Sequence, residues 1–220
     1  MPLKLIVANK AYSSWSLRPW LLMAANHIPF EEVVIPLYHD DSPRKILKYS
    51  PTGKLPALVD GDIVVWESLA IVEYLAESFP KKAIWPKEPA ARAHARSLSA
   101  EMHAGFVALR THCGTNFRRT PKRLDLAPEI AALVAADVAR IEKAWAGARK
   151  NFGAGGPFLF GEFCAADAMF APVVNRLHVY DLPVGRATKA YMKTMLDMPA
   201  YRAWLADGAA EPWIIEAYEK

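Results

Sequence analysis

Cysteine is scarce in this chain. Only Cys113 and Cys164 occur in 220 residues, in no CxxC or other metal-ligand spacing, so neither a disulfide scaffold nor a zinc domain is expected. That usage fits a reducing, cytoplasmic setting. Long apolar runs are also missing: none approaches the roughly 20 residues that span a bilayer. The first residues hold one lysine and the short run from Leu3 to Ala8, which falls short of a secretory leader. No charge of one sign dominates. With 27 basic against 23 acidic residues the net charge is +4, too mild and dispersed to argue for nucleic acid. The basic cluster Arg118-Arg119-Thr120-Pro121-Lys122-Arg123 reads as a solvated loop. The glycine-rich stretch Gly153 to Gly161 lacks the Lys-Ser/Thr ending of a phosphate-binding loop and reads as a connection. His94, His112 and His178 are scattered, and no metal is expected. What remains is 53% hydrophobic and 23% charged, a composition that can bury a core in one or two domains.

The most informative stretch runs from Gly53 to Phe79. Ala57 to Val59 and Ile63 to Val65 are short apolar runs either side of Asp60-Gly61, a hairpin signal. After Trp66 the apolar period changes from 2 to 3.6 through Leu69, Ile71, Val72, Leu75 and Phe79, which predicts a helix with Glu67 and Ser68 at its start. The Leu55-Pro56 bond at the head of the first run has two readings. It is a trans strand-start proline, or a cis bond that turns the backbone N–H and C=O of Leu55 outward for an extended peptide. Ser68 is either a plain cap or, with the first N–H groups of the helix, a seat for a carboxylate.

Ahead of that stretch, Leu3 to Ala8 reads as a buried strand, Asn9 to Ser16 as a polar loop, and the pattern from Leu17 as a helix capped near Trp15 or Ser16, with Pro19 in its first turn and Arg18 bracing the loop. Glu32 to Leu37 is a second strand, and Ser42-Pro43 opens a short helix. The order β-α-β-α-β-β-α over residues 1–80 predicts a thioredoxin-like α/β domain with a mixed four-stranded sheet and helices on both faces. Residues 81–89 are a proline-punctuated linker. From residue 90 to 220 strand signals nearly vanish, and Ala90 to Arg110, Ala127 to Lys150, Cys164 to Val179 (broken at Pro172), Ala187 to Met198 and Ala200 to Asp207 predict an all-helical bundle.

Gly53-Lys54-Leu55-Pro56-Ala57-Leu58, then Glu67-Ser68 and Ala70-Ile71-Val72-Glu73-Tyr74-Leu75, resemble the glutathione-binding half of the cytosolic glutathione transferases. Phe163-Cys164-Ala165-Ala166-Asp167-Ala168 resembles that family's Ser/Thr-x-x-Asp capping box, with Cys164 in place of the hydroxyl, which leaves Asp167 to carry the cap. Met198-Pro199-Ala200-Tyr201 resembles its late helix, so the likeness covers essentially the whole chain. The resemblance implies a cis-proline at Pro56, glutathione as co-substrate held by Trp15, Lys54, Leu55, Pro56, Glu67 and Ser68, and a homodimer, for which Trp66 and Tyr74 are candidate surface.

Tyr12-Ser13-Ser14-Trp15-Ser16-Leu17-Arg18 is similar to the Ser-x-x-Ser-x-Arg of the serine-type zeta, tau and related classes, without a clear match to one. The likeness makes Ser13 the donor to the glutathione sulfur and Ser14 the fallback, with Ser16 a cap. Trp15 stands where the zeta pattern has cysteine, which weakens an assignment to maleylacetoacetate isomerisation. With no cysteine in the loop, thiol-disulfide exchange lacks its protein sulfur. The expected activity is conjugation of glutathione to a small hydrophobic electrophile. A glutathione-dependent isomerase and a non-catalytic interaction protein of the same fold are the alternatives. On the first bundle helix His103, Phe106 and Arg110, at i, i+3 and i+7, are expected to share a face. Together with Tyr12 they are the candidate electrophile pocket, Arg110 being either a pocket cation or a salt-bridge partner.

Overall fold

The computed structural model describes residues 2–219, so the outermost residues of the two expected domain spans, 1 and 220, lie outside it. The sheet has strand order β2-β1-β3-β4, with β1 (Leu3–Val7) parallel to β2 (Phe30–Val34) and antiparallel to β3 (Ala57–Asp60), which pairs antiparallel with β4 (Ile63–Trp66). Successive side chains of β1 explain its apolar run. Leu5 and Val7 join the large core beneath α1 (Ser14–Ala25) and α3 (Ser68–Ser78), while Ile6 turns to the other face. There it meets Ile35, Ala57 and Ile46, the last on α2 (Ser42–Leu47). Helices therefore cover both faces of a mixed sheet, as the element order predicts. The Leu55-Pro56 bond is cis.

The helices of the second half are α4 (Pro89–Ala104), α5 (Val107–His112), α6 (Pro128–Phe152), α7 (Ala165–Val179), α8 (Arg186–Asp197) and α9 (Pro199–Ala210), followed by a 3-10 turn at Glu216–Tyr218. Helix α7 is the axis. All its residues but His178 are buried, and it packs against α1, α4 and α8. Pro172 lies inside it without ending it. At its start both halves of the reciprocal capping box are present, the Cys164 sulfur accepting from the Asp167 N–H and the Asp167 carboxylate from the Cys164 N–H at 3.0 Å. The expectation that Asp167 alone carries the cap is corrected: a thiol sulfur is a weak acceptor, yet here it faces the backbone donor. Asp167 also accepts from the N–H of Leu159 at 3.1 Å and the hydroxyl of Tyr191 at 2.9 Å, and its burial pushes its pKa up to about 6.

Three further boundaries differ from expectation. The second strand runs Phe30–Val34 and not Glu32 to Leu37, in register with Leu3–Val7 of β1. The first helix begins at Ser14 with Ser13 as N-cap, so Pro19 lies inside it and not in the first turn. The stretch from Ala90 to Arg110 is two helices, because Phe106 takes a left-handed φ of 57° and the Gly105 backbone approaches the Glu101 carbonyl where a Cβ would lie 2.8 Å from that oxygen.

Candidate functional site

Two adjoining cavities lie where one end of the sheet, beyond the last residues of β1, β2 and β4 and ahead of β3, meets the helical half. The smaller, about 330 Å³, is bordered by Trp15, Lys54, Leu55, Pro56, Glu67, Ser68, His103 and Arg110. The larger, about 710 Å³, shares Trp15, Lys54, Leu55 and Arg110 and extends past Tyr12, Ser13 and Ser14 toward α5, α7 and Tyr218.

The smaller cavity is built by backbone geometry. The cis bond places Leu55 on its wall, and neither the N–H nor the C=O of Leu55 has a hydrogen-bond partner among the described residues. Those two groups are what an added peptide strand needs. Opposite, Glu67 adopts a φ of 69° as N-cap of α3, a conformation uncommon for a side-chain-bearing residue. The first N–H groups of α3 have no partner inside the helix. Ser68 is buried, and its hydroxyl has no hydrogen-bond partner among the described residues. A buried hydroxyl left without a partner costs about 1–3 kcal/mol, and this one borders the smaller cavity.

At the larger cavity the serines occupy the mouth of α1. Ser13 Oγ accepts from the Ser16 N–H at 3.2 Å and donates to Ser16 Oγ at 2.8 Å. Ser16 Oγ in turn accepts from the Ala8 N–H at 3.0 Å. Ser16 is thus not the cap but a buried tie between the loop and β1. The hydroxyl of Ser14, the first helical residue, makes no hydrogen bond among the described residues, although it borders the same cavity. Trp15 is fixed between two cations. The Arg18 guanidinium lies 4.1 Å from its ring centroid and that of Arg110 5.0 Å, with His103 edge-on at 5.1 Å.

The expected electrophile residues separate. Tyr12 borders the larger cavity and donates its hydroxyl to Glu219 at 2.6 Å. Arg110 borders both cavities and makes no salt bridge among the described residues. Its Nη1 donates to the His103 and Gly105 carbonyls at 3.3 and 3.1 Å, which removes the salt-bridge reading. His103 borders only the smaller cavity of the two, 3.8 Å from the Glu67 carboxylate. Burial, followed by the positive charge of Arg18, lowers its pKa from the usual value. Phe106 borders neither. It is 6% exposed and packs against Phe170, 6.4 Å between ring centroids. The expectation of one face for His103, Phe106 and Arg110 fails because the helix breaks between them at Gly105 and Phe106.

Residues distant in sequence tie down the loop ahead of α1 or reach the larger cavity. The Glu211 carboxylate accepts from the backbone N–H groups of Lys10 and Ala11 at 2.7 and 3.0 Å, and Asp207 accepts from Lys10 Nζ at 2.6 Å. Arg118, expected in a solvated loop, donates to the carbonyls of Glu211 and Trp213. Arg176 on α7, together with Thr115, reaches the larger cavity. No local motif marks these residues, though the polar pair Asn175-Arg176 after the apolar run Ala168 to Val174 of α7 was a visible signal.

A mixed sheet of this order carrying a cis-proline and an open helix mouth, joined to a helical bundle, defines a thioredoxin-like two-domain protein. Residues 12–78 match the family model for the glutathione S-transferase N-terminal domain and residues 127–207 that for the C-terminal domain. The chain belongs to the glutathione S-transferase family. It is 35% identical over 97 residues to a probable maleylacetoacetate isomerase of Caenorhabditis elegans, a match spanning 44% of this chain and 45% of that relative's length. A glutathione transferase homolog from Burkholderia, solved with bound glutathione, superposes with a TM-score of 0.70 at 21% identity, covering 94% of this chain and 98% of the other. A theta class glutathione S-transferase from Xanthomonas axonopodis, also with glutathione bound, gives 0.67 at 22% identity over 93% and 98%.

Proposed function

We propose that the protein is a glutathione transferase that joins the glutathione sulfur to a small electrophile with an apolar body. What carries this reading is the convergence, on two adjoining cavities, of the open backbone of Leu55 beside a cis-proline, the unpartnered buried hydroxyl of Ser68, and the serines at the mouth of α1. The cysteinyl backbone of glutathione pairs with Leu55. Its γ-glutamyl carboxylate takes Ser68 and the first N–H groups of α3, where the helix dipole favours an anion. Lys54 and Trp15 line the path between. Two such molecules form a homodimer in the cytoplasm, using the exposed Ile63, Val64 and Trp66 of the edge strand β4.

The reacting thiol gives its proton to solvent. Ser13, rotating its hydrogen from Ser16 Oγ toward the sulfur, stabilises the thiolate while still accepting from the Ser16 N–H. Ser14 is the neighbouring hydroxyl that would replace it. The sulfur electron pair then forms the S–C bond as the leaving group departs with its own pair. An isomerase variant, favoured by the likeness to the C. elegans protein, adds the thiolate to a double bond, lets the resulting single bond rotate, and expels the thiolate again. Retention on immobilised glutathione together with turnover of a chloronitroaromatic tests the reading. Turnover supports the transferase, retention alone reduces it to a binding module, and neither outcome leaves only the fold.

A further inference from the structure

A third depression, of about 470 Å³, lies between the segment that follows α5 and Glu219, and it gathers part of the basic run that the sequence sets at Arg118 to Arg123. None of its lining residues borders either cavity of the candidate site. Its arginines are held by the main chain. Arg118 donates from Nη1 and Nη2 to the carbonyls of Trp213 and Glu211, both at 2.9 Å. Arg119 donates from Nε and Nη2 to the carbonyls of Val179 and Lys122 at 3.3 and 3.2 Å, and its guanidinium lies 4.8 Å from the Tyr180 ring centroid. A guanidinium has five N–H donors, so each of the two keeps donors to spare. Neither arginine nor Lys122 makes a salt bridge among the described residues. The backbone N–H groups of Arg119 and Thr120 have no hydrogen-bond partner among those residues.

The lining thus sets Arg118, Arg119 and Lys122 against a single carboxylate, Glu219. That carboxylate is already engaged, its Oε1 accepting from the Tyr12 hydroxyl at 2.6 Å and from Asn116 Nδ2 at 3.1 Å. Asn116, 1% exposed, fixes the loop from below by accepting the Arg118 N–H on Oδ1 at 2.8 Å. Cations gathered at fixed positions repel one another, and an anion among them relieves the repulsion. Planar guanidinium forks beside an ammonium and free backbone N–H groups suit the several oxygens of a phosphate. The net charge of the whole chain is only +4. The positive field is therefore local, as a small ligand requires and a nucleic-acid track does not.

We infer that Arg118, Arg119 and Lys122 form a binding site for the phosphate group of a small molecule, a phosphomonoester or a diphosphate, apart from both cavities described above. The site goes beyond the transferase reading and does not depend on it. Glu219 borders the depression and also holds Tyr12 on the wall of the larger cavity. A phosphate entering beside Glu219 repels that carboxylate, so occupancy bears on Tyr12.

Calorimetric titration with inorganic pyrophosphate tests the site, at an ionic strength held constant with potassium chloride and with glutathione present in excess. The wild type should bind with a dissociation constant of about 1 mM or lower. Lys122→Gln removes an exposed charge and should weaken binding by about two- to fivefold. Glu219→Gln removes the opposing charge and should tighten it by a similar factor of about two to five. Arg119→Gln should weaken it by about tenfold. Arg119 also holds two carbonyls, so if circular dichroism shows that variant unfolded, the Lys122 and Glu219 variants decide. Absence of binding in the wild type, or an affinity unmoved by both of those variants, would overturn the site. Pyrophosphate that binds only when glutathione is left out would belong to the other cavities and overturn it equally. An RNA oligonucleotide that binds through Lys122 and that pyrophosphate cannot displace would replace the small molecule by a polyanion. Failure of glutathione itself to bind would end the transferase reading and leave the pyrophosphate result standing.

Discussion

Ser13 caps α1, and the proposed mechanism gives it a second role that separates from the first under substitution. As N-cap of α1 its oxygen accepts from the Ser16 N–H, and removing a serine cap costs about 1 kcal/mol of stability. In the proposed mechanism it would also donate one charge-assisted hydrogen bond to the glutathione thiolate, worth about 1.5–3 kcal/mol. At about 1.4 kcal/mol per pKa unit that is a rise of roughly one to two units in the bound thiol. Near neutral pH the thiolate fraction, and kcat with it, should fall about ten- to a hundredfold in Ser13→Ala, with little change in glutathione affinity. Ser13→Thr keeps both the cap and the donor and should recover most of both losses. Ser13→Asp keeps a cap acceptor but sets a carboxylate beside the sulfur, so it should be as stable as wild type and still inactive. The assay is ultraviolet titration of the bound thiolate against pH, with urea unfolding of the same variants. An unchanged midpoint in Ser13→Ala with a raised one in Ser14→Ala would transfer the role to Ser14. Unchanged midpoints in both would refute thiolate stabilisation by a hydroxyl of this loop.

Ser68→Ala should raise the glutathione KM by up to about tenfold, one hydrogen bond's worth. The unliganded protein should be no less stable in a thermal melt, because the deleted hydroxyl has no partner in the fold. Asp167→Ala strands the N–H groups of Leu159 and Cys164 and the hydroxyl of Tyr191, and should cost at least about 3 kcal/mol by urea unfolding. A loss under about 1 kcal/mol would contradict the buried network. His103 has a lowered pKa, so the unfolded chain takes up its proton first as pH falls. Its contribution to stability is whole above the ordinary value of about 6.5 and declines as pH drops from there through the folded value. His103→Gln should therefore flatten the decline in unfolding free energy between about pH 7 and about pH 5, and an unaltered profile would dismiss this assignment.

The legible parts of this protein were the local ones. Pro56, Glu67 and Ser68 stand inside one strand-strand-helix unit whose period changes within a few residues, so spacing places them close together, while the resemblance to the family was needed to choose between the two readings of each. The start of α1 was misplaced because Pro19 invites a first-turn reading, whereas the hydrogen bonds of Ser13 and Ser16 extend the helix toward the loop. Phe106 was misassigned for a related reason. An apolar period runs unbroken through Gly105 and Phe106, and nothing in it announces a left-handed residue. Arg176, Thr115 and Glu211 act across folds of the chain that periodicity does not encode, and only the absence of a partner, or the presence of a backbone one, reveals them.

The tie from Glu211 to the backbone of Lys10 and Ala11 has a consequence for biogenesis. A nascent polypeptide that has already emerged through residue 80 holds every serine of its reactive loop but not the acceptor that clamps the turn before it. On the proposed function, competence would be acquired late, when the final helix docks, and partial synthesis would yield a thioredoxin-like body with a slack mouth. Limited proteolysis that clips the chain just before Glu211 should silence turnover while leaving the sheet's far-ultraviolet signature intact.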